Sequence, residues 1–497
     1  MSQKHGASLR GLMTTGGSPR AAGQGKFGRM FRRLPAASFG GTDGRNERHL
    51  AALAAAMTAP DDDLPKDGRD DEESAIPALY TYFGQFIDHD ITFDPASSLQ
   101  QQNDPDALLD FRTPALDLDN VYGRGPADQP YLYAGDNRLF LGSAPLHGGA
   151  AGITDLPRNS ADPARALIGD PRNDENVIVS QLQGLFLRFH NRMVDADPVA
   201  DFATVARRVR FHYQYLVVND FLPRLVDPQV LRSLQSGHRY VPERIAFFPW
   251  QDPFMPVEFS VAAYRLGHSM VRPGYRLNDN VLQPIFPLPA QGFPDGLTGF
   301  RAMNPAWGID WGRFIDVDIR HYDGTPAQQQ KRLQLAYRID TTISNPLAQL
   351  PPSIASNPSS LAERNLLRGW RLGLPSGQRV AAAMHAPVLS DAQILIGPDA
   401  QPITSVSSAF ERNCPLWTYV LAEAMQHSSA VPVPVVEPGT KIDTPRLGPV
   451  GGRIVAEVLL GLLFADRSSY LNINPGWTPA GGPNYTLKDF VKFALGN

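Results

Sequence analysis

Apolar residues recur at helical spacing in several stretches of the chain. Leu79, Phe83, Phe86 and Ile87 fall three and four apart and predict a helix with one apolar face in the stretch around residues 80–94. A second helix is predicted from Ile178, Leu182, Leu185, Phe186, Phe189 and Met193, opened by the polar string PRNDEN at 171–176. Val205, Val209, Tyr213 and Leu216 form the stripe of a third over 202–226. Further helices are predicted over 257–273, 408–425 and 450–470, the last being the most apolar. The expected fold class is mainly α, with little β. The 45 Pro and 43 Gly are spread along the chain, so they imply long irregular connections rather than one disordered block.

Composition narrows this only a little. Of 497 residues, 42% are hydrophobic and 19% charged, the profile of an ordinary globular protein. A net charge of −4 leaves no footprint for nucleic acid. No run approaches the ~20 apolar residues of a membrane span. The best candidate, 454–465, is short and contains Glu457, so it reads as a buried core helix. Residues 1–44 are rich in Gly, Ser, Arg and Lys, with no acidic residue before Asp43 and no apolar core of a secretory signal. They read as a flexible basic arm, and 45–497 as one large domain. The single cysteine, Cys414, forbids an intrachain disulfide and suits a reducing or bacterial setting. The expected location is cytoplasmic, or outside the cell by a route without a cleavable signal. Oligomeric state is left open.

Chemistry concentrates in the string YTYFGQFIDHDITFD. Gln85 and His89 project from one side of the predicted helix, and Asp88 and Asp90 are each turned about 100° from His89. Placing these groups beside Phe86 and Ile87 is costly unless each has a partner. Alone, a His between two Asp is ordinarily a solvated helix edge. In RTPALDLDNVYG (112–123), Thr113, Ala115, Asp117 and Asp119 alternate and set oxygen atoms two residues apart. That reach suits a calcium ion, though such a stretch is more often a plain turn. Arg172 and Glu175, three apart, read by themselves as a surface ion pair or a complement to the helix dipole. His268 lies near the end of the helix predicted over 257–273, where a His is usually structural. His190 and His212 read as core residues.

Taken together and in order, GQFIDHD, the 112–123 loop, PRNDEN, YRLGHSMVRP and LAERNLLRGWR resemble the animal-type haem peroxidases of the peroxidase–cyclooxygenase superfamily. The resemblance spans nearly 300 residues and implies a single helical haem-peroxidase domain. It implies that His89 works on peroxide, with Gln85 hydrogen-bonding in the same pocket and Arg172 stabilising charge there. Asp88 and Glu175 would esterify a haem b group. Asp90, Thr113, the Ala115 carbonyl, Asp117 and Asp119 would bind a calcium ion, with Asp119 standing where some relatives have Ser. His268 would ligate the haem iron, in an R-x-x-H-x-x-x-x-P context that includes Arg265. Asn365 would fix its tautomer, and Arg368 would reach a haem propionate. Two departures matter. Asn176 replaces the Met that makes a sulfonium link to haem in myeloperoxidase, so that link is not expected, and the disulfides of mammalian members cannot form.

The resemblance implies reduction of hydrogen peroxide through a ferryl intermediate. Halides, thiocyanate or phenols would be the electron donors. Two rival functions share the fold. A fatty-acid dioxygenase of the cyclooxygenase branch resembles a protein with a radical Tyr three residues before the iron-ligating His; here Arg265 holds that place and Tyr264 is one step farther back. A non-catalytic binding or adhesion module would not need the set Gln85, His89, Arg172 and His268.

Overall fold

A computed structural model describes residues 27–60, 67, 70–92, 114–135, 137–318, 325, 331–352, 354–355, 357–433 and 440–496. Of the described residues, helix of all kinds accounts for 42% and strand for 14%, so the protein is mainly α. Every sheet among the described residues has only two strands. The principal helices are α1 (Asp43–Met57), α2 (Leu79–Ile91), α3 (Val177–Ala196), α4 (Phe202–Leu216), α5 (Leu361–Arg371), α6 (Leu416–Gln426), α7 (Gly451–Ala465) and α8 (Leu487–Leu495). Several begin where a side chain can accept the first free N–H groups. Asn176 caps α3, Asp201 caps α4, Ser360 caps α5, and Thr486 with Asp489 forms a capping box on α8.

Aromatic packing fixes α2. Its positions Leu79, Phe83, Phe86 and Ile87 are fully buried. Phe86 stacks on Phe186 of α3 with centroids 4.2 Å apart, and both rings meet Tyr213 of α4 edge-on. Each such pair adds roughly 0.5–1.5 kcal/mol beyond area burial. On α3, Phe186 and Phe189 also carry Phe490 of α8. α7 forms part of the core, and its buried Glu457 is fully employed. That carboxylate accepts the N–H groups of Ala246, Phe247 and Phe248 and pairs with Arg453 at 2.8 Å.

Four sequence expectations are modified. The segment predicted as a helix over 257–273 is a π-helical turn, Glu258–Ala262, followed by a 3-10 helix, Ala263–His268, with a break at Ala262 (φ −126°, ψ −80°). The helix expected over 202–226 is α4 continued by a π-helical insertion, Val217–Phe221, and a last turn, Leu222–Leu225. The 408–425 helix is split, with Pro415 at the N-cap of α6. Residues 27–44, read as part of a flexible arm, are packed: Phe27–Gly28 pairs with Met255–Pro256, and the N–H groups of Met30 and Phe31 donate to buried Glu258. Phe27, Phe31 and Phe39 supply the buried surface that an average over a Gly- and Arg-rich segment conceals. Residues 1–26 lie outside the described residues. Among those described, no helix is long and apolar enough to cross a membrane.

Candidate active site

A cavity of about 640 Å³ opens between α2, the turn before α3 and the 3-10 segment ending at His268. α2 contributes Gln85, Asp88 and His89 to its wall, the turn contributes Glu175 and Asn176, and the 3-10 segment contributes Tyr264, Arg265 and His268. The remainder of the wall is largely apolar, including Ile285, Phe286 and Leu350.

His89 is buried, and its tautomer is set by a chain of amides. Nδ1 lies 2.7 Å from Asn173 Oδ1, and Asn173 Nδ2 donates to Gln183 Oε1 at 2.8 Å. Asn173 therefore presents an oxygen, so Nδ1 carries the proton and the lone pair is on Nε2. That nitrogen lies 3.6 Å from Glu175 Oε1. Burial first, and the Arg172 charge second, hold the imidazole below its ordinary pKa against the opposite pull of Glu175, Asp170 and Asp88. His89 is thus a neutral base. Gln85 donates to Glu175, and Asn176 Nδ2 donates to Gln85 Oε1 at 3.1 Å, so the polar wall beside His89 is continuously hydrogen-bonded.

Each polar residue of PRNDEN has a separate task. Asp170 caps the turn by accepting the Arg172 N–H, and Pro171 occupies its first position. Asn173 orients His89. Asp174 is buried and held by both terminal nitrogens of Arg158, at 2.7 and 2.8 Å. Glu175 faces the cavity, and Asn176 accepts the N–H groups of Ile178 and Val179. The loop at 297–300 lies against this turn, and a Cβ on Gly299 would collide with the Asp174 carbonyl oxygen.

Arg172 is placed differently from its expected position. It does not line the cavity. Its guanidinium pairs with the fully buried carboxylate of Asp170 at 2.8 Å and donates to the carbonyls of His89 and Thr92 at the end of α2. These are carbonyls that a helix terminus leaves without intrahelical partners. The buried Asp170 charge accounts for the guanidinium's position.

On the other side of the cavity, His268 stands with its Nδ1 2.6 Å from the amide nitrogen Nδ2 of Asn365 on α5. Burial, and then the Arg265 charge, push its pKa down to about 3, so this imidazole is neutral as well. Arg265 lines the cavity while its Nε donates to the Ser260 carbonyl at 2.8 Å. Arg368 lies one turn beyond Asn365, half-buried, and is not part of the cavity wall. His190 and His212 are buried in local bonds, to Tyr122 and the Asn137 carbonyl and to the Arg208 carbonyl respectively.

Behind α2 the structure brings Asp90, Asp117 and Asp119 together, with one carboxylate oxygen of each within 4.8 Å of the others, all buried. Asp117 Oδ1 accepts the Asp119 N–H at 3.2 Å, whereas its Oδ2 is buried with no hydrogen-bond partner. Burial first, then the Asp119 and Asp90 charges, drive the Asp117 carboxyl well above the ordinary range, against the pull of Arg210. Asp90 Oδ2 accepts the N–H of Leu118, which takes a left-handed φ of 61° that branched residues seldom adopt. Ala115 is buried on the same loop, and Thr113 lies outside the described residues. Three converging carboxylates and a partnerless oxygen are a donor set suited to a hard cation.

Sequence reasoning missed Asn173 and Gln183. Gln183 did leave a trace: it occupies a core position of the helical stripe between Val179 and Phe186. A polar residue there requires a buried partner.

Comparison with known proteins bears on the family and the fold. Dog thyroid peroxidase is 27% identical over 295 residues, covering 54% of this chain and 29% of that one. Human myeloperoxidase is 25% identical over 265 residues, covering 49% and 33%. The matches thus take in about a third of the length of these curated relatives. The structure of peroxidase A from Dictyostelium discoideum is similar with a TM-score of 0.64 at 16% identity, covering 99% of this chain and 98% of that one. The Arabidopsis thaliana fatty acid alpha-dioxygenase reaches 0.56 at 13% identity, covering 98% and 80%. These two likenesses establish the fold. The family model described as animal haem peroxidase matches residues 97–376, more than half of the chain, and the protein therefore belongs to the animal haem peroxidase family.

Proposed function

We propose that the protein is a haem peroxidase that reduces hydrogen peroxide at the cavity and oxidises small donors, either halide or thiocyanate anions or phenols. The observation that carries this reading is one cavity lined by two neutral imidazoles, each with a partner for its other nitrogen. His268 would hold the iron. Asn365 turns its Nδ2 to Nδ1 in this structure. The two ends of the amide are isosteric, and a half-turn brings the oxygen to Nδ1, where it would accept that proton and leave Nε2 free for metal. Haem supplies the iron at which peroxide is reduced and the means of storing its oxidising equivalents. His89 Nε2 takes the proton of one peroxide oxygen and returns it to the other, which leaves as water. Asp88, which accepts the Thr92 hydroxyl at 3.1 Å, and Glu175 are the carboxylates within the cavity wall that would esterify the haem. Arg172 would act by holding the carbonyl end of α2. Arg368 would reach a propionate from the α5 side. Asp90, Asp117, Asp119 and the carbonyl of Ala115, with Thr113, would hold calcium and brace α2 from behind.

The test is an absorption spectrum of purified protein with haemin, before and after one equivalent of peroxide. Stoichiometric haem uptake with a Soret band that shifts on adding peroxide and returns with iodide or guaiacol is expected. Loss of haem uptake in His268→Ala is also expected. A protein that binds no haem, or whose spectrum ignores peroxide, overturns the reading. Oxygen uptake with linoleate and no donor oxidation would favour a dioxygenase instead.

A further inference from the structure

Three tyrosines line the cavity, Tyr80, Tyr82 and Tyr264, and their hydroxyls end in different chemistry. Tyr264 donates to the Gly84 carbonyl at 3.3 Å, and the Tyr82 ring packs edge-on against the phenol Tyr275, with centroids 5.4 Å apart. Neither a backbone carbonyl nor a second phenol is an effective base. Tyr80 donates to Asp220 Oδ2 at 2.6 Å, a short bond to a carboxylate. The Leu487 N–H at 2.8 Å and Arg224 Nε at 2.9 Å fix that carboxylate. Asp220 belongs to the π-helical insertion Val217–Phe221, and Phe221 of the same insertion lines the cavity. Single-turn insertions of this kind are frequent at functional sites.

A phenol gives up an electron readily only when its proton leaves with it, because the phenol radical cation is a very strong acid. The environment of Tyr80 enforces that coupling. The Arg224 guanidinium lies 4.3 Å from its ring centroid and opposes positive charge on the ring. Burial first, and the Asp220 charge next, keep the phenol protonated, so it remains a donor to Asp220.

We infer that Tyr80, with Asp220 as its proton acceptor, is a redox-active residue that takes one oxidising equivalent from the cavity into the protein. Tyr80 gives one electron to haem that peroxide has oxidised, and its hydroxyl proton passes to Asp220 Oδ2. A neutral tyrosyl radical and a carboxylic acid remain. An electron from a donor, with the proton returned from Asp220, restores the pair. The inference rests on the haem-peroxidase reading.

Haem-loaded protein frozen within milliseconds of mixing with one equivalent of peroxide is examined by electron paramagnetic resonance. An organic radical signal whose splitting collapses with ring-deuterated tyrosine is expected. Tyr80→Phe is expected to remove it and leave haem uptake and the Soret response to peroxide intact. Asp220→Asn is expected to remove it too, because an amide cannot take the proton. An undiminished tyrosyl signal in Tyr80→Phe, or loss of the signal in Tyr82→Phe or Tyr264→Phe instead, overturns the assignment. A Soret response with no tyrosyl signal in the wild type also overturns it, while leaving the peroxidase reading standing. Absence of haem uptake defeats both.

Discussion

On the proposed reading, His89 acquires its chemical role from groups outside the cavity wall. Its lone pair lies on Nε2 because the Asn173 oxygen faces Nδ1, while Asn173 Nδ2 donates to Gln183 Oε1. His89→Gln is expected to slow the reaction with peroxide by about 10²–10⁴-fold, the usual worth of a general base. Asn173→Ala, which leaves the imidazole but frees its tautomer, is expected to cost roughly 10–100-fold. Stopped-flow measurement of the Soret change gives both, and equal rates for Asn173→Ala and wild type would refute the tautomer argument. Arg172 has a different signature. Removing it leaves the Asp170 carboxylate buried without its strongest partner, and Arg172→Met is expected to destabilise the fold by roughly 3–5 kcal/mol. The double variant Arg172→Met with Asp170→Asn should recover much of that in urea unfolding. A residue acting only on peroxide would lose rate with no change in stability.

At the scale of elements, the legible and the illegible separate by range. α2 was predictable because its apolar positions repeat within the element, and the likeness of GQFIDHD to a family string supplied a role for His89. The π-helical insertions at Val217–Phe221 and Glu258–Ala262 leave no trace in the spacing of apolar residues, since both are decided by what the neighbouring elements hold in place. Arg172 illustrates the same limit: sequence placed it beside Glu175, but the buried Asp170 two residues before determines where its charge lies. The Asp90–Asp117–Asp119 cluster joins a helix to a loop some 27 residues later, and spacing alone could not choose between a turn and an ion site. The cluster makes a sharp expectation. Without a cation, three buried carboxylates repel; with one, they tie the loop to α2. Calcium at a hundredfold excess over its dissociation constant is expected to raise stability by about 2.7 kcal/mol. Asp117→Asn should be more stable than wild type in chelator and less stable in calcium. Melting curves that keep the same order under both conditions would rule out a cation at this cluster.

Across the whole molecule, the core joins α2, α3, α4, α6, α7 and α8 into one cluster, so the two walls of the cavity are held by the same packing. Carboxylates inside this core couple its stability to pH. Glu423 of α6 accepts the N–H groups of Val450 and Gly451, all at 3.0 Å, and so caps the start of α7. Burial nevertheless outweighs those bonds and raises its pKa from 4.5 to about 7. Asp340 rises from 3.8 to about 7 for the same reason, against the Thr342 N–H. An acid with a raised pKa in the folded state still holds its proton where the unfolded chain has lost it. The folded form therefore binds more protons between the two pKa values, and stability falls as pH rises through that window and levels off above it. For Glu423 the window runs from 4.5 to about 7, and the effect is on the order of 3 kcal/mol. Glu423→Gln keeps an oxygen to accept the two N–H groups but cannot ionise. Its melting temperature is expected to change less than the wild type's between about pH 5 and pH 8. If the variant and the wild type lose the same number of degrees over that interval, the buried carboxyl does not titrate there and is not the source.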